Sequence, residues 1–189
     1  MSAAHQGWTI FGAPVHGRSC GSCKACCTWL PVHLPTAYKP ANVRCTHLRS
    51  KGCNIYDRRP ETCRAWSCRW LFDPCLGDVR RPDIAGFAVD PLLDTLIVDG
   101  EPRAAVQVWL DPDRLDAHRD PALRAWLERV RLPAIVRWGA LEGLVIVPPA
   151  LVREGVWLEH RAPFSRDVGN FSQLPWQERA AMAAGGDVP

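Results

Sequence analysis

Nine cysteines, all between Cys20 and Cys75 of a 189-residue chain, are the residues whose type and spacing could do chemistry. The first four stand as Cys20-Gly-Ser-Cys23-Lys-Ala-Cys26-Cys27, a C-x2-C-x2-C-C run. A C-x2-C turn brings two sulfurs onto one ion because the intervening pair folds into a tight knuckle. A third cysteine at the same step gives the run with which bacterial ferredoxins supply three of four cluster ligands; there the fourth follows three residues later and precedes a proline. Here Cys27 follows at once and no proline comes after it, so that match fails at its last element. Adjacent Cys26 and Cys27 leave the backbone in different directions. Either two metal centres share this loop, or one of the pair is not a ligand.

The other thiols are Cys45, Cys53, Cys63, Cys68 and Cys75. Together with the first four they make two tetrahedral sites plus one spare, and Cys75, last in order, is the expected spare. The expected ligands are therefore Cys20, Cys23, Cys26, Cys27, Cys45, Cys53, Cys63 and Cys68. Thiolates suit Zn²⁺ and they suit iron, an iron–sulfur cluster included, and the spacing does not choose between them. His47, two residues after Cys45, reads as a solvated loop side chain rather than a nitrogen ligand. Trp66 and Trp70, which flank Cys68, read as core tryptophans before they read as a shield for a metal centre.

Residues 1–17 lack the basic region and apolar core of an export signal, and a cytoplasmic location is the expectation. In a reducing compartment clustered cysteines are metal or redox sites more often than disulfides. An odd number of thiols cannot all pair within one chain. No run of eighteen apolar residues is present, so no membrane span is expected. The net charge of +3 is unevenly spread: residues 1–80 carry eleven Lys and Arg against four Asp and Glu, and the rest carry twelve against sixteen. Four thiolates around one Zn²⁺ leave a charge of about −2. Arg44, Arg58, Arg59, Arg64 and Arg69, interleaved with the cysteines, would offset it and donate hydrogen bonds to sulfur. A phosphate-binding surface is the weaker reading of the same residues.

The elements that must hold these thiols are sparse. Residues 20–75 contain only thirteen large apolar side chains, too few for a unit of that size to fold unaided. One structural zinc supplies ~10–16 kcal/mol at neutral pH. The metal is therefore expected to build this half as well as serve it, among loops and short helical turns. Pro60-Glu61 reads as a first helical turn, running to Trp70.

Beyond Arg81-Pro82-Asp83 the pattern changes. Residues 86–89, 95–98 and 104–110 read as strands, with a turn at Asp99-Gly100. Asp111-Pro112 and Asp120-Pro121 both read as helix starts. After the second, Leu123, Trp126, Leu127 and Val130 form an amphipathic stripe, which Pro133 closes. Residues 134–138 and 144–147 read as a further strand pair. Little regular structure is expected after Pro148-Pro149 beyond a short helix at 175–184. The expected architecture is α+β: a loop-rich, metal-stapled cysteine-cluster unit (1–80) packed on a small unit of short antiparallel strands with one or two helices (81–165), then a tail (166–189).

The run from Cys20 to Cys27, then Cys45, then Cys53-Asn54-Ile55-Tyr56-Asp57-Arg58-Arg59-Pro60-Glu61-Thr62-Cys63-Arg64 resembles the CxxCxxCC cysteine-cluster family, described as a zinc- or iron-chelating domain. The resemblance spans about residues 18–70. It implies that Cys20, Cys23, Cys26, Cys27, Cys45, Cys53 and Cys63 belong to a metal site; Cys68 and Cys75 lie outside the motif. In that stretch Ile55 and Tyr56 offer apolar cover, Pro60 fixes the turn back to Cys63, and Arg59 and Arg64 either offset thiolate charge or pair with Asp57 and Glu61.

The leading functional expectation is a metal–thiolate protein with a structural, metal-handling or redox role. Its partners are metal ions, and a protein partner or protein substrate is compatible with it. The alternative is an enzyme: the domain is similar to part of flagellin lysine-N-methylase, which implies S-adenosylmethionine as a co-substrate. Against it, no G-x-G-x-x-G, G-x-S-x-G, H-E-x-x-H or phosphate-loop motif occurs. A nucleic-acid binder is disfavoured, because finger spacing and a recognition helix are both missing from the pattern.

Overall fold

The computed structural model describes residues 12–34, 37–50, 52–98, 101–139, 142–153 and 155–161. In chain order the helices are α1 (Ala25–Thr28), α2 (Glu61–Ala65), α3 (Pro82–Ala85) and α4 (Pro121–Val130). The strands are β1 (Val32–Leu34), β2 (Ala37–Lys39), β3 (Leu48–Arg49), β4 (Gly52–Cys53), β5 (Phe87–Val98), β6 (Glu101–Leu110), β7 (Ala134–Arg137), β8 (Gly143–Val147) and β9 (Leu158–Arg161). The class is α+β.

Alternation along β5 and β6 explains how the two halves meet. Phe87, Val89, Val106, Val108 and Leu110 face α4 and pack on its Leu123, Trp126 and Leu127. Between them Ala88 and Trp109, opposite one another in register, face the other way and pack on Ala25, Trp29 and Leu30 of the cysteine-rich half. Elsewhere on that second face Ala105, Ile135, Val145 and Val147 pack with Leu96 and Val152. Central strands covered on both sides bury every residue, and β7 and β8 do so throughout. The layers run from α4 through the sheet to the cysteines. Leu76 and Val79 join the α4-side core as the chain passes from one half to the other.

The helix stripe predicted from the sequence is α4. Asp120 caps it, its Oδ1 accepting from the amides of Ala122 (2.8 Å) and Leu123 (3.3 Å). It ends two residues before Pro133, at Arg131, a non-glycine residue with φ 55°. There the amide of Leu132 donates to Leu127 and that of Arg131 to Glu128, which satisfies the last carbonyls.

Several sequence expectations are corrected. The sheet β5-β6-β7-β8-β9 is not wholly antiparallel: β6 and β7 run parallel, with α4 in the crossover between them. The segments 86–89 and 95–98 belong to one strand, β5, whose register shifts between Val89 and Leu93. No helix starts at Pro112; the Asp111 carboxylate instead accepts from Asp113 in a turn, and a 3-10 turn follows at Leu115–Arg119. The helix from Glu61 stops at Ala65, because Trp66 turns extended (ψ 135°), and a separate 3-10 turn covers Arg69–Leu71. A fifth strand, β9, follows Pro148-Pro149 where little was expected. The Asp99-Gly100 turn, the 175–184 helix and the 166–189 tail lie outside the described residues.

Candidate metal centre

The Cys20–Cys23 knuckle forms as its spacing predicts. The Cys23 amide donates to the Cys20 carbonyl at 2.8 Å, and Gly21 between them has φ 49°. A side chain at Gly21 would also meet the Arg81 guanidinium at 3.2 Å, so the glycine serves both the turn and that approach. Arg81 is held there by Asp83 (2.7 and 2.9 Å) and by Ser22 Oγ. The amides of Ala25 and Asp83 donate to Cys23 sulfur, the kind of bond that steadies a metal-bound thiolate.

The chain then turns through α1, which carries Cys26 and Cys27. The Cys26 thiol donates to Cys27, which holds Cys26 protonated well above the usual thiol range and draws Cys27 below it. Lys39 and Arg59 favour the Cys27 thiolate further. Cys45 returns to this point, its amide donating to the Cys27 carbonyl at 2.9 Å. Cys53 sits opposite Leu48 in the β3–β4 hairpin, and the Leu48 amide donates to the Cys45 carbonyl. The hairpin's Gly52 comes up beside the Gly21 carbonyl.

Pro60 does fix the turn into Cys63, the Cys63 amide donating to the Pro60 carbonyl at 3.0 Å. Arg59 braces that turn: its Nε donates to the Tyr56 carbonyl (2.8 Å), its Nη1 reaches the Cys63 carbonyl (3.4 Å), and the guanidinium lies 3.7 Å over the Tyr56 ring. Burial pushes the Cys63 thiol up, helped by the nearby Cys27 and Cys45. Cys68 opens the 3-10 turn at 69–71. Burial, followed by neighbouring Cys20 and Cys23, pushes it up to about 12. Burial also raises Cys20, against the pull of Arg59 and Arg81.

All nine thiols are free. Eight are partly buried, and Cys75 stands exposed. Among the described residues no three Cys, His, Asp or Glu side chains converge as tightly as they would around an ion. The thiols neighbour one another in smaller sets instead: Cys26 lies near Cys20, Cys23 and Cys27, Cys68 near Cys20 and Cys23, and Cys63 near Cys27, Cys45 and Cys53. Their chemistry still fits a soft or borderline cation: every donor is sulfur, Lys39, Arg59 and Arg81 stand near the thiols, with the Asp83 carboxylate beside Cys23, and backbone amides point at Cys23 and Cys68. His47 is exposed. Both tryptophans pack in apolar clusters, Trp66 beside Trp29 and Trp109, Trp70 beside the α4-side core. Their indole N–H groups donate to Asp90 and to the Val79 carbonyl.

Sequence reasoning missed Lys39, Arg81 and Asp83. Arg81 and Asp83 read as a boundary, and a single lysine in a short apolar hairpin carries no pattern. It also missed a charged cluster on the far side of the fold, where Glu159 meets Arg119, Arg124 and His118 beside a cavity of about 270 Å³ lined in part by Trp138 and Arg161.

No family model, no curated protein and no solved structure matches the chain.

Proposed function

We propose that this chain is a metal–thiolate protein that holds zinc or iron through Cys20, Cys23, Cys26, Cys27, Cys45, Cys53, Cys63 and Cys68. The supporting observation is that these eight thiols are partly buried and neighbour one another across α1, β4, α2 and the segments between them, Cys63 near Cys27, Cys45 and Cys53, and Cys68 near Cys20 and Cys23. Burial alone opposes thiolate formation there, as Cys20, Cys63 and Cys68 show. A bound cation reverses that balance, since a metal ligates the thiolate and deprotonates it outright.

Zinc in such a set makes a closed structural centre, and iron makes one that exchanges electrons. The protein's own part is to position and neutralise. The knuckle at Cys20–Cys23 presents two sulfurs, Arg59 and Arg81 stand near Cys20, Lys39 stands near Cys45 and Cys27, and Trp29, Leu30, Ala88 and Trp109 pack beside Cys23. The thiolate set and the core under it form one structure. Losing the metal should therefore loosen residues 20–75 while β6, β7 and β8 persist.

Elemental analysis of full-length protein purified without oxygen tests the reading. Stoichiometric zinc or iron, greatly reduced in Cys23→Ser, supports it. Native protein with no metal, and with no capacity to take up Zn²⁺ when reduced, overturns it.

A further inference from the structure

We infer that the cavity between β9 and the 3-10 turn at Leu115–Arg119 is a binding site for a small hydroxylated aromatic carboxylate. Its lining among the described residues holds no cysteine.

Strand register puts the site together. Glu159 stands opposite Ile146, and Arg161 stands opposite Leu144. Both partners belong to the α4-side core, so Glu159 and Arg161, two residues apart, project to that side. The turn at 115–119 brings His118 and Arg119 to the same space. Leu115, Leu144 and Trp138, just past β7, give it apolar walls around about 270 Å³. That lies at the small end of ligand sites and has room for about one substituted ring.

Charge around the cavity is unevenly matched. Arg119 grips both oxygens of Glu159, Nε at 3.2 Å and Nη2 at 2.6 Å, and Arg124 donates to the same carboxylate. Asp116 also lies near Arg119. Arg161 has no hydrogen-bond or ion-pair partner among the described residues. Its guanidinium therefore awaits one negative charge, and its planar fork matches a carboxylate. A phosphate monoester would bring about −1.5 to −2 at neutral pH, beside the Glu159 carboxylate.

His118 sets the second requirement. Its side chain is only 7% exposed, and Nδ1 lies 2.6 Å from the Leu115 carbonyl. A carbonyl only accepts, so Nδ1 carries hydrogen and Nε2 of the neutral ring keeps a lone pair. Nε2 is buried without a hydrogen-bond partner, 3.6 Å from Glu159 Oε2. Leaving such an atom unmet is costly. A hydroxyl meets it in either protonation state, donating to the neutral ring and accepting from the imidazolium. The Trp138 ring and the two leucines suit a flat apolar body. A ring that carries one hydroxyl and one carboxylate answers all three features.

The test is an NMR titration of full-length protein carrying isotope-labelled histidine, at fixed metal content, with the three hydroxybenzoates, benzoate and phenol. The best hydroxybenzoate should bind at one site with a Kd of about 1 mM or tighter, a modest efficiency for about ten non-hydrogen atoms. It should move the His118 resonances. Benzoate and phenol should each bind about tenfold or more weakly, since each leaves one group unmet. Arg161→Gln, a change on an exposed edge strand, should weaken the hydroxybenzoate about tenfold and leave phenol unchanged. Failure of all three hydroxybenzoates to saturate the protein overturns the site, as does binding that leaves His118 unmoved. Benzoate binding as tightly as the hydroxybenzoates overturns the role given to His118, and an unaffected Arg161→Gln overturns that given to Arg161.

Discussion

The amide of Cys45 donates to the carbonyl of Cys27 at 2.9 Å and so closes the loop 28–44 at its neck. Lys39, on the β1–β2 hairpin within that loop, clips the same neck from inside. Its Nζ donates to the Thr28 carbonyl (3.3 Å) and the Val43 carbonyl (2.8 Å), one at each end of the loop. The ammonium also stands near Cys27, Cys45 and Cys63, and burial lowers its pKa from the usual lysine value against their pull. Structure and charge therefore meet in one side chain.

Lys39→Met keeps the stem and removes both the clip and the charge. On the proposed metal–thiolate reading, its expected effect is a roughly tenfold or greater loss of Zn²⁺ affinity, as for other residues that support metal ligands. Competition against a chromophoric chelator reads this directly. Far-UV circular dichroism of the sheet should not change. An affinity equal to the wild type's would show that Lys39 only holds the loop.

Much of the sheet half was legible because its signals are local. The α4 stripe, its Asp120 cap and the strand pair β7–β8 each lie within a few residues of the pattern that announces them. What failed was non-local or unpatterned. The parallel pairing of β6 with β7 depends on where α4 returns the chain, which spacing does not encode. Strand β9 reads Leu-Glu-His-Arg, an edge strand with little apolar alternation to betray it. At the candidate site the spacing named the thiols but not their company. The bond from Cys45 to Cys27 and the fastening of Arg18 along residues 70–76 both join segments far apart in sequence.

Cys75 differs from the other eight in exposure, and its two hydrogen bonds use only backbone atoms. Its amide donates to Asp73 Oδ1 (2.8 Å), and its carbonyl accepts from Arg129. Cys75→Ser keeps both, so stability should change by less than about 0.5 kcal/mol, and metal content should not change. In the loaded wild type a brief iodoacetamide pulse should label Cys75 first. Prior labelling of Cys68 or Cys26 would contradict the assignment of Cys75 as the bystander.

Asp120 caps α4 with its side chain, and that helix covers one face of the sheet through Leu123, Trp126 and Leu127. Asp120→Ala leaves the amides of Ala122 and Leu123 without their acceptor and should cost about 1 kcal/mol. Asp120→Asn should recover most of that, since its amide oxygen accepts the same bonds. Urea unfolding of all three proteins, with metal held constant, measures the difference. Equal losses in both variants would assign the effect to the charge near Arg80 (3.8 Å) instead of to the cap.

Glu159 brings β9 to the 3-10 turn at 115–119 and to α4. It accepts from Arg119 (2.6 Å) and Arg124, and His118 Nε2 lies 3.6 Å away. Arg119 first, then Arg124, hold the Glu159 carboxyl at about 2, below its ordinary 4.5. A carboxylate whose pKa is depressed on folding stabilises the native state fully above its unfolded value. That stabilisation is lost as the pH falls from about 4.5 toward about 2. The group is largely exposed, so screening limits its worth to about 1 kcal/mol or less. Acid also releases metal from thiolates, which would swamp the effect in the wild type alone. Comparison with Glu159→Gln removes that contribution, because both proteins share it. The wild type should exceed the variant in urea midpoint at about pH 5, and the gap should shrink by about pH 3. A gap that stays constant across this range would mean that Glu159 acts through packing alone.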